Sequence, residues 1–324
     1  MRAVRSLAVA FAALAAAVPA SDGPLNPPAA PASTPGPEPR FALTGSLPLV
    51  ISQPGSYYLT RDRTGVAGIT GITIEADDVT LDLNGFTLRG VPGSLSGILI
   101  SGPRRNVAVR NGTVRDWGNE AIIAFASTNC QFEDLRLYQN AAGGLFCGAS
   151  STVRRVTART NGVVGISTSD GCTVLECTVG SNSLGGFAIG QGSVVTDCAA
   201  LTNQGPGFAL GPRCVVTACS SSGNTGSGFS VSDESLVTGC SASGNSLDGF
   251  EVTFSDNRID GNTATANVGL GFDISGTGNL IVRNSASGNL LGAFNFNDPN
   301  NVHGVLVTGI VTITAENPWA NFAF

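Results

Sequence analysis

The 324-residue chain has no lysine: all 17 of its basic residues are arginine. That excludes a lysine general base or Schiff base. It has a single histidine, His303, a single methionine, Met1, and no C-x-x-C pair, which speaks against a metal cluster built on imidazole, thioether or paired thiolates. Charged residues are only 12% and the net charge is −6, so the basic excess needed to neutralise phosphates is missing and a nucleic-acid partner is not expected. No apolar stripe of helical period is found, which rules out helical repeats. Beyond residue 18 there is no apolar run long enough to span a bilayer.

What is present is strand-and-turn material: 43 glycines, with Ser, Thr, Asn and Val filling much of the rest. Residues 1–20 open with Arg2 and Arg5, continue as the apolar run "LAVAFAALAAAV" and end in "VPA". This layout predicts a cleavable secretory signal and an exported protein, secreted or held in the periplasm or cell envelope. Residues 21–40 carry seven prolines and read as an extended linker. The folded domain is predicted over 41–324.

A repeat dominates that domain. Gly144-Leu145, Gly165-Ile166, Gly186-Phe187, Gly207-Phe208, Gly228-Phe229, Gly249-Phe250 and Gly271-Phe272 recur every 21 residues, then 22. The column Asn140, Asn161, Asn182, Asn203, Asn224, Asn245, Asn267 and Asn289 lengthens at the same place. A third column is Cys177, Cys198, Cys219 and Cys240, preceded by Leu135 and Val156, so cysteine stands there as a packing residue. Fixed periods of this length mean a solenoid. Leucine-rich repeats would need L-x-x-L-x-L, whereas this unit has short strands separated by Gly, Ser and Asn. A single-stranded parallel β-helix with 21–22-residue coils is expected, all-β, with Phe and Val inward, Gly at tight corners, and Asn in left-handed turns bonding from coil to coil. Caps are expected at 41–68 and at 304–324, the latter with Trp319, Phe322 and Phe324 as cover.

With "VTLDLNGFTL" at 79–88 and these coils, the chain resembles the right-handed parallel β-helix repeat proteins of the pectin-lyase-like superfamily over nearly the whole mature chain, which implies a single-stranded right-handed parallel β-helix. The resemblance implies work on polysaccharide: hydrolysis, β-elimination, epimerisation or binding. The Asn-Thr-Asp, Gly-His-Gly and Arg-Ile-Lys segments of polygalacturonase-like members are missing, and "DPNN" at 298–301 lacks the His and second Asp of the epimerase-like motif. Asp77-Asp78 reads as a turn pair.

Two surfaces remain as candidates. Glu251 and Asp273 share an outward column with Asn295, and stacked carboxylates either raise a pKa or share a cation. They are the candidate catalytic pair, and calcium would enter only in a lyase reading; otherwise no cofactor is expected. At a 21-residue step, Arg115 and Arg136 form one outward column and Trp117, Tyr138 and Arg159 the next, a surface suited to an anionic sugar chain. The eight cysteines are expected mostly as free buried thiols, with Ser151, Ser193 and Ser235 interleaved between Cys130, Cys172 and Cys214. The function expected is a monomeric, secreted β-helix that binds polysaccharide or envelope glycan, or serves as a rigid extracellular element, without catalysis. The alternative is a polysaccharide lyase or glycoside hydrolase acting on a uronic-acid polymer.

Overall fold

The computed structural model describes residues 40–308 and 317–324. The predicted signal at 1–20 and the predicted linker up to residue 39 lie outside the described residues. Pro39–Phe324 forms one compact unit. Every described element is a strand, and no described helix is long and apolar enough to cross a membrane.

The strands wind into a parallel β-helix. A twelve-stranded sheet takes one strand from each coil, from Leu49–Ile51 to Gly292–Phe296, and a 24-stranded sheet takes the others. Identical residues fall in register: Phe187, Phe208, Phe229, Phe250, Phe272 and Phe294 are successive partners. Their rings stack with centroids 4.7–4.9 Å apart, the spacing that neighbouring strands impose. Each such pair adds about 0.5–1.5 kcal/mol beyond burial of its area. The ladder ends on Phe296 and on His303, whose imidazole stacks on the Phe296 ring at 4.2 Å.

The regular coils turn three corners, and all three follow one rule. A residue at φ between 50° and 68° breaks the strand direction: Thr160, Ser181 and Thr202 at one corner, Arg155, Glu176 and Asp197 at the second, Ser150, Gly171 and Gly192 at the third. The residue after it points inward and bonds to the next coil. At the first corner these are the repeating asparagines. Asn182 Nδ2 donates to Asn203 Oδ1 at 2.9 Å, Asn203 Nδ2 to Asn224 Oδ1 at 2.9 Å, and the backbone N–H groups of Asn182 and Asn203 donate to the same oxygens. The expected coil-to-coil ladder is therefore present, but the left-handed residue is the one before each asparagine.

The glycines preceding Phe also have a different reason from the one expected. They lie outside the positive-φ set. A Cβ on Gly186 would stand 2.4 Å from the Gly207 carbonyl oxygen and 3.0 Å from Asn203 Nδ2. Glycine is needed there because the next rung and the asparagine ladder come too close for a side chain.

The other two corners run on cysteine and serine and then change to asparagine. Cys240 N–H donates to Asn262 Oδ1, and Asn262 to Asn284 and Asn284 to Asn321 in turn. Cys130 and Cys172 N–H donate to Ser151 and Ser193 Oγ, and a last run passes through Asn257, Asn279 and Asn301. All eight cysteines are buried free thiols. Burial pushes Cys130 and Cys214 above the usual thiol range, as suits inert packing residues.

At the ends, Phe41–Leu43 pairs with Tyr57–Leu59, and Leu49–Ile51 pairs with Ile72–Ile74. Asn321–Ala323 joins the 24-stranded sheet beside Ser285–Ser287. Trp319 does not cover the helix end: it is half exposed and lies against Arg283.

Candidate functional site

The early coils are longer than the later ones, and this sets the surface columns. Ile72 pairs with Ile98, Ile98 with Ile122, and Ile122 with Leu145, steps of 26, 24 and 23 residues before the 21-residue step begins at Leu145 with Ile166. The uniform 21-residue step therefore misplaces the basic patch. Arg115 aligns with Tyr138, and Tyr138 with Arg159, while Arg136 lies between Thr113 and Thr157. Upstream, Arg89 aligns with Arg115 and Thr64 with Arg89. One outward column thus reads Thr64, Arg89, Arg115, Tyr138, Arg159, with Arg136 beside it.

Trp117 is not part of this surface. It is 1% exposed, and its Nε1–H donates to the Leu88 carbonyl at 3.1 Å. It starts the asparagine ladder, its N–H donating to Asn140 Oδ1. Gly65 and Gly71 make room for the indole: a Cβ on either would stand 2.6 Å from Trp117 Cη2. A residue two places beyond Arg115 falls past the corner residue Asp116, φ 60°, and so points inward.

Asp116 organises what remains. Its Oδ2 accepts Arg89 Nε at 3.0 Å and Arg115 Nε at 2.8 Å. The Arg115 guanidinium also donates to the Tyr138 hydroxyl and lies 4.8 Å from the centre of that ring. The hydrogen bond to Asp116, and after it the one to Tyr138, hold Arg115 above the ordinary arginine range. Arg136 and Arg159 are exposed and have no carboxylate partner among the described residues. A groove of about 690 Å³ runs along Arg89, Arg115 and Asp116, with Val91 and Pro92 in its wall. A second, of about 560 Å³, is lined by Arg136, Tyr138, Thr157 and Arg159. In the same column further on stand Gly180, Leu201, Ser222 and Ser243, so the cationic stretch is confined to the early coils. Arg89 and Asp116 were missed in the sequence because the irregular coil lengths hide their alignment.

The acidic column lies on the twelve-stranded sheet. Glu251, Asp273 and Asn295 are register partners as the repeat predicts. Glu251 Oε2 accepts the Ser230 hydroxyl and Asp273 Oδ1 accepts Asn295 Nδ2, each at 2.9 Å. The carboxyl held above the ordinary aspartate range is a neighbour, Asp248: burial raises it, the charges of Asp273 and Glu251 add, and the Leu270 N–H donated to its Oδ1 opposes. Among the described residues no three His, Cys, Asp or Glu side chains gather as a metal-ligand set. A groove of about 230 Å³ passes over Ala209, Ser230 and Glu251 with Phe254 beside it.

The ion pairs around Arg155 are structural. Arg155 bonds both oxygens of Asp134 and approaches Glu176, and Arg154 pairs with Glu176 at 3.5 Å. Solvent screens exposed pairs of this kind, so they add little to stability. Asp77 and Asp78 accept bonds from the Arg105 N–H and the Asn106 amide of the next coil, a turn role.

A strand-only parallel solenoid with one inward residue after each left-handed corner defines the class. The chain belongs to the family described as right handed beta helix region, whose pattern matches residues 67–200, 96–233 and 187–307. A search of curated proteins finds no match. Among solved structures, the Azotobacter vinelandii mannuronan C-5 epimerase AlgE4 A-module is similar with a TM-score of 0.58 and 14% identity, over 82% of this chain and 88% of that one. The AlgE6 A-module of the same organism gives 0.57 and 16%, over 77% and 89%. The Dettilon tailspike protein gives 0.53 and 13%, over 81% of this chain and 62% of that one. At these identities the likeness is one of fold, and the chemistry has to be argued from the residues.

Proposed function

We propose that the protein is an exported β-helix that binds an anionic polysaccharide, such as a uronic-acid polymer of an envelope or matrix, without cleaving it. The observation that carries this is the Arg89–Arg115–Tyr138–Arg159 column with Arg136 beside it. Guanidiniums recognise carboxylates by paired hydrogen bonds, and a tyrosine ring among them offers a flat face to a sugar. Asp116 and Tyr138 hold Arg115 in place, so little side-chain freedom is lost on binding. Arg136 and Arg159 supply charge that has no carboxylate partner among the described residues.

The test is binding of immobilised polygalacturonate by the whole chain, read by biolayer interferometry at two salt concentrations. Binding should weaken at least about tenfold in Tyr138→Ala/Arg159→Ala and should weaken with added salt as exposed charges are screened. Equal binding by the double variant, or equal binding of a neutral polymer, overturns the assignment.

A second reading has one observation in its favour: the raised carboxyl of Asp248 beside Glu251 and Asp273, the kind of group that donates a proton in general acid catalysis. In that reading polygalacturonate or alginate yields soluble oligosaccharides detectable by mass spectrometry, and Glu251→Gln abolishes them. Intact polymer after prolonged incubation removes it.

A further inference from the structure

A separate cavity, far along the chain from the basic column, is built with more care than packing requires. In the 24-stranded sheet the outward positions of successive coils pair a hydroxyl with an aliphatic side chain: Val215 and Thr217, then Leu236 and Thr238. At the next rung the pattern breaks. Arg258 and Asp260 take those places, followed by Leu280 and Val282, with Val302 beyond.

Asp260 is almost fully buried. Its two oxygens accept Arg283 Nε at 2.7 Å and Nη2 at 2.6 Å, and Oδ2 also accepts Arg258 Nη2 at 2.8 Å. A buried carboxylate between guanidiniums adds little stability relative to an apolar pair, since desolvation offsets the attraction. What the network does is fix positions. Arg283 is held where its guanidinium lies 5.2 Å from the Trp319 ring, and Arg258 is held at the rim. Beside Arg258 opens a cavity of about 450 Å³, floored by Leu280, Val282 and Val302 and walled by Trp319, with His303 and Asn317 also on its lining. Val302 is exposed and Trp319 half exposed, so nothing in the described chain fills it.

We propose that this cavity binds a small apolar carboxylate, its hydrocarbon body on the aliphatic floor against the indole and its carboxylate on Arg258. The volume suits a compact ligand, and an apolar lining with few fixed polar groups is the usual make-up of such sites. Charge complementarity selects an anion: two guanidiniums share one carboxylate in the network, and Arg258 is the member that borders the cavity. The site is independent of the glycan surface and does not need it.

Trp117 is buried and Trp319 exposed, and the chain has no third tryptophan, so tryptophan emission reports on the cavity directly. Titration of the whole protein with cyclohexanecarboxylate should give a saturable emission change, and cyclohexanecarboxamide should bind at least about fivefold more weakly. Val302→Asp, at an exposed position that leaves the fold intact, should weaken the acid at least about tenfold with an unchanged circular dichroism melt. Arg258→Gln should erase the preference for acid over amide. No saturable change in the wild type at millimolar ligand, equal affinity for acid and amide, or unaltered binding by Val302→Asp would each overturn the proposal.

Discussion

Replacing Asn203 by alanine tests the asparagine ladder that gives the sequence its period. The side chain is wholly buried. Its Oδ1 accepts two bonds from the coil before, from Asn182 N–H at 3.1 Å and Asn182 Nδ2 at 2.9 Å. Its Nδ2 donates to Asn224 Oδ1, which keeps a second donor, the Asn203 backbone N–H. Asn182 Nδ2 likewise keeps its bond to the Ala158 carbonyl. The substitution therefore strands two N–H groups of Asn182 away from water. Each buried unpaired donor costs about 1–3 kcal/mol, so the loss is about 2–6 kcal/mol before any cavity term.

In a solenoid each coil contacts its neighbours only, so the damage should appear first where the ladder is cut. Native-state hydrogen exchange is the direct assay. The slow amides of the strands Thr178–Gly180 and Ala199–Leu201 should exchange at least about 30-fold faster, the equivalent of 2 kcal/mol. Thr202→Ala, at the exposed left-handed corner next door, should stay within about 0.5 kcal/mol of wild type. If Asn203→Ala exchanges no faster than Thr202→Ala, the ladder is not what couples the coils, and the argument fails.

Two further outcomes concern Asp248, which is partly buried, and Trp117, which is wholly so. Asp248 has a raised folded-state pKa, so it favours folding in its neutral form. The penalty for ionising it is absent below the unfolded aspartate value of about 3.9 and grows as pH rises through that value to the folded one. Asp248→Asn should then raise stability to denaturant at pH 7 and leave it unchanged at pH 3; no gain at pH 7 contradicts the assignment. Trp117→Ala should lower stability by about 3–5 kcal/mol through the cavity it leaves, measured by urea unfolding, while a folded fraction binds glycan at wild-type affinity. A selective loss of glycan binding would place the indole back on the surface.

The interior was legible in the sequence wherever inward positions must repeat. A phenylalanine can stack only on a residue of like shape, and an asparagine can pass its amide bond only to another polar side chain, so those columns keep their identity. The left-handed corner positions tolerate several residues, Gln139, Thr160, Ser181 and Ala266 among them, so they leave no column to read. Mistaking the asparagine for the corner residue followed from that. The ladders through Asn262 and Asn257 were hidden because cysteine and serine serve in the same columns earlier. The basic surface was legible in composition and wrong in register, because the coils before Leu145 are two to five residues longer than those after it. Trp117 fell on the wrong side of the sheet for the same reason, lying just past a corner that the uniform period does not mark.

Stacking constrains the basic surface more tightly than it constrains the core. Two like charges one rung apart, about 4.8 Å, repel by about 1 kcal/mol in fully hydrated surroundings and by more as the surface dries. The column handles this in two ways. Asp116 sits between Arg89 and Arg115 and bonds both, and Tyr138 occupies the rung between Arg115 and Arg159. Neutralisation stops there: Arg159 is followed by Gly180 on the next rung, with no carboxylate among the described residues to meet it. A purely structural column would gain from an acid at that rung, as Arg155 gains from Asp134 and Glu176 on another corner. Under the proposed function, an external polyanion would complete the pairing that Arg159 and Arg136 lack among the described residues, and a neutral polymer could not.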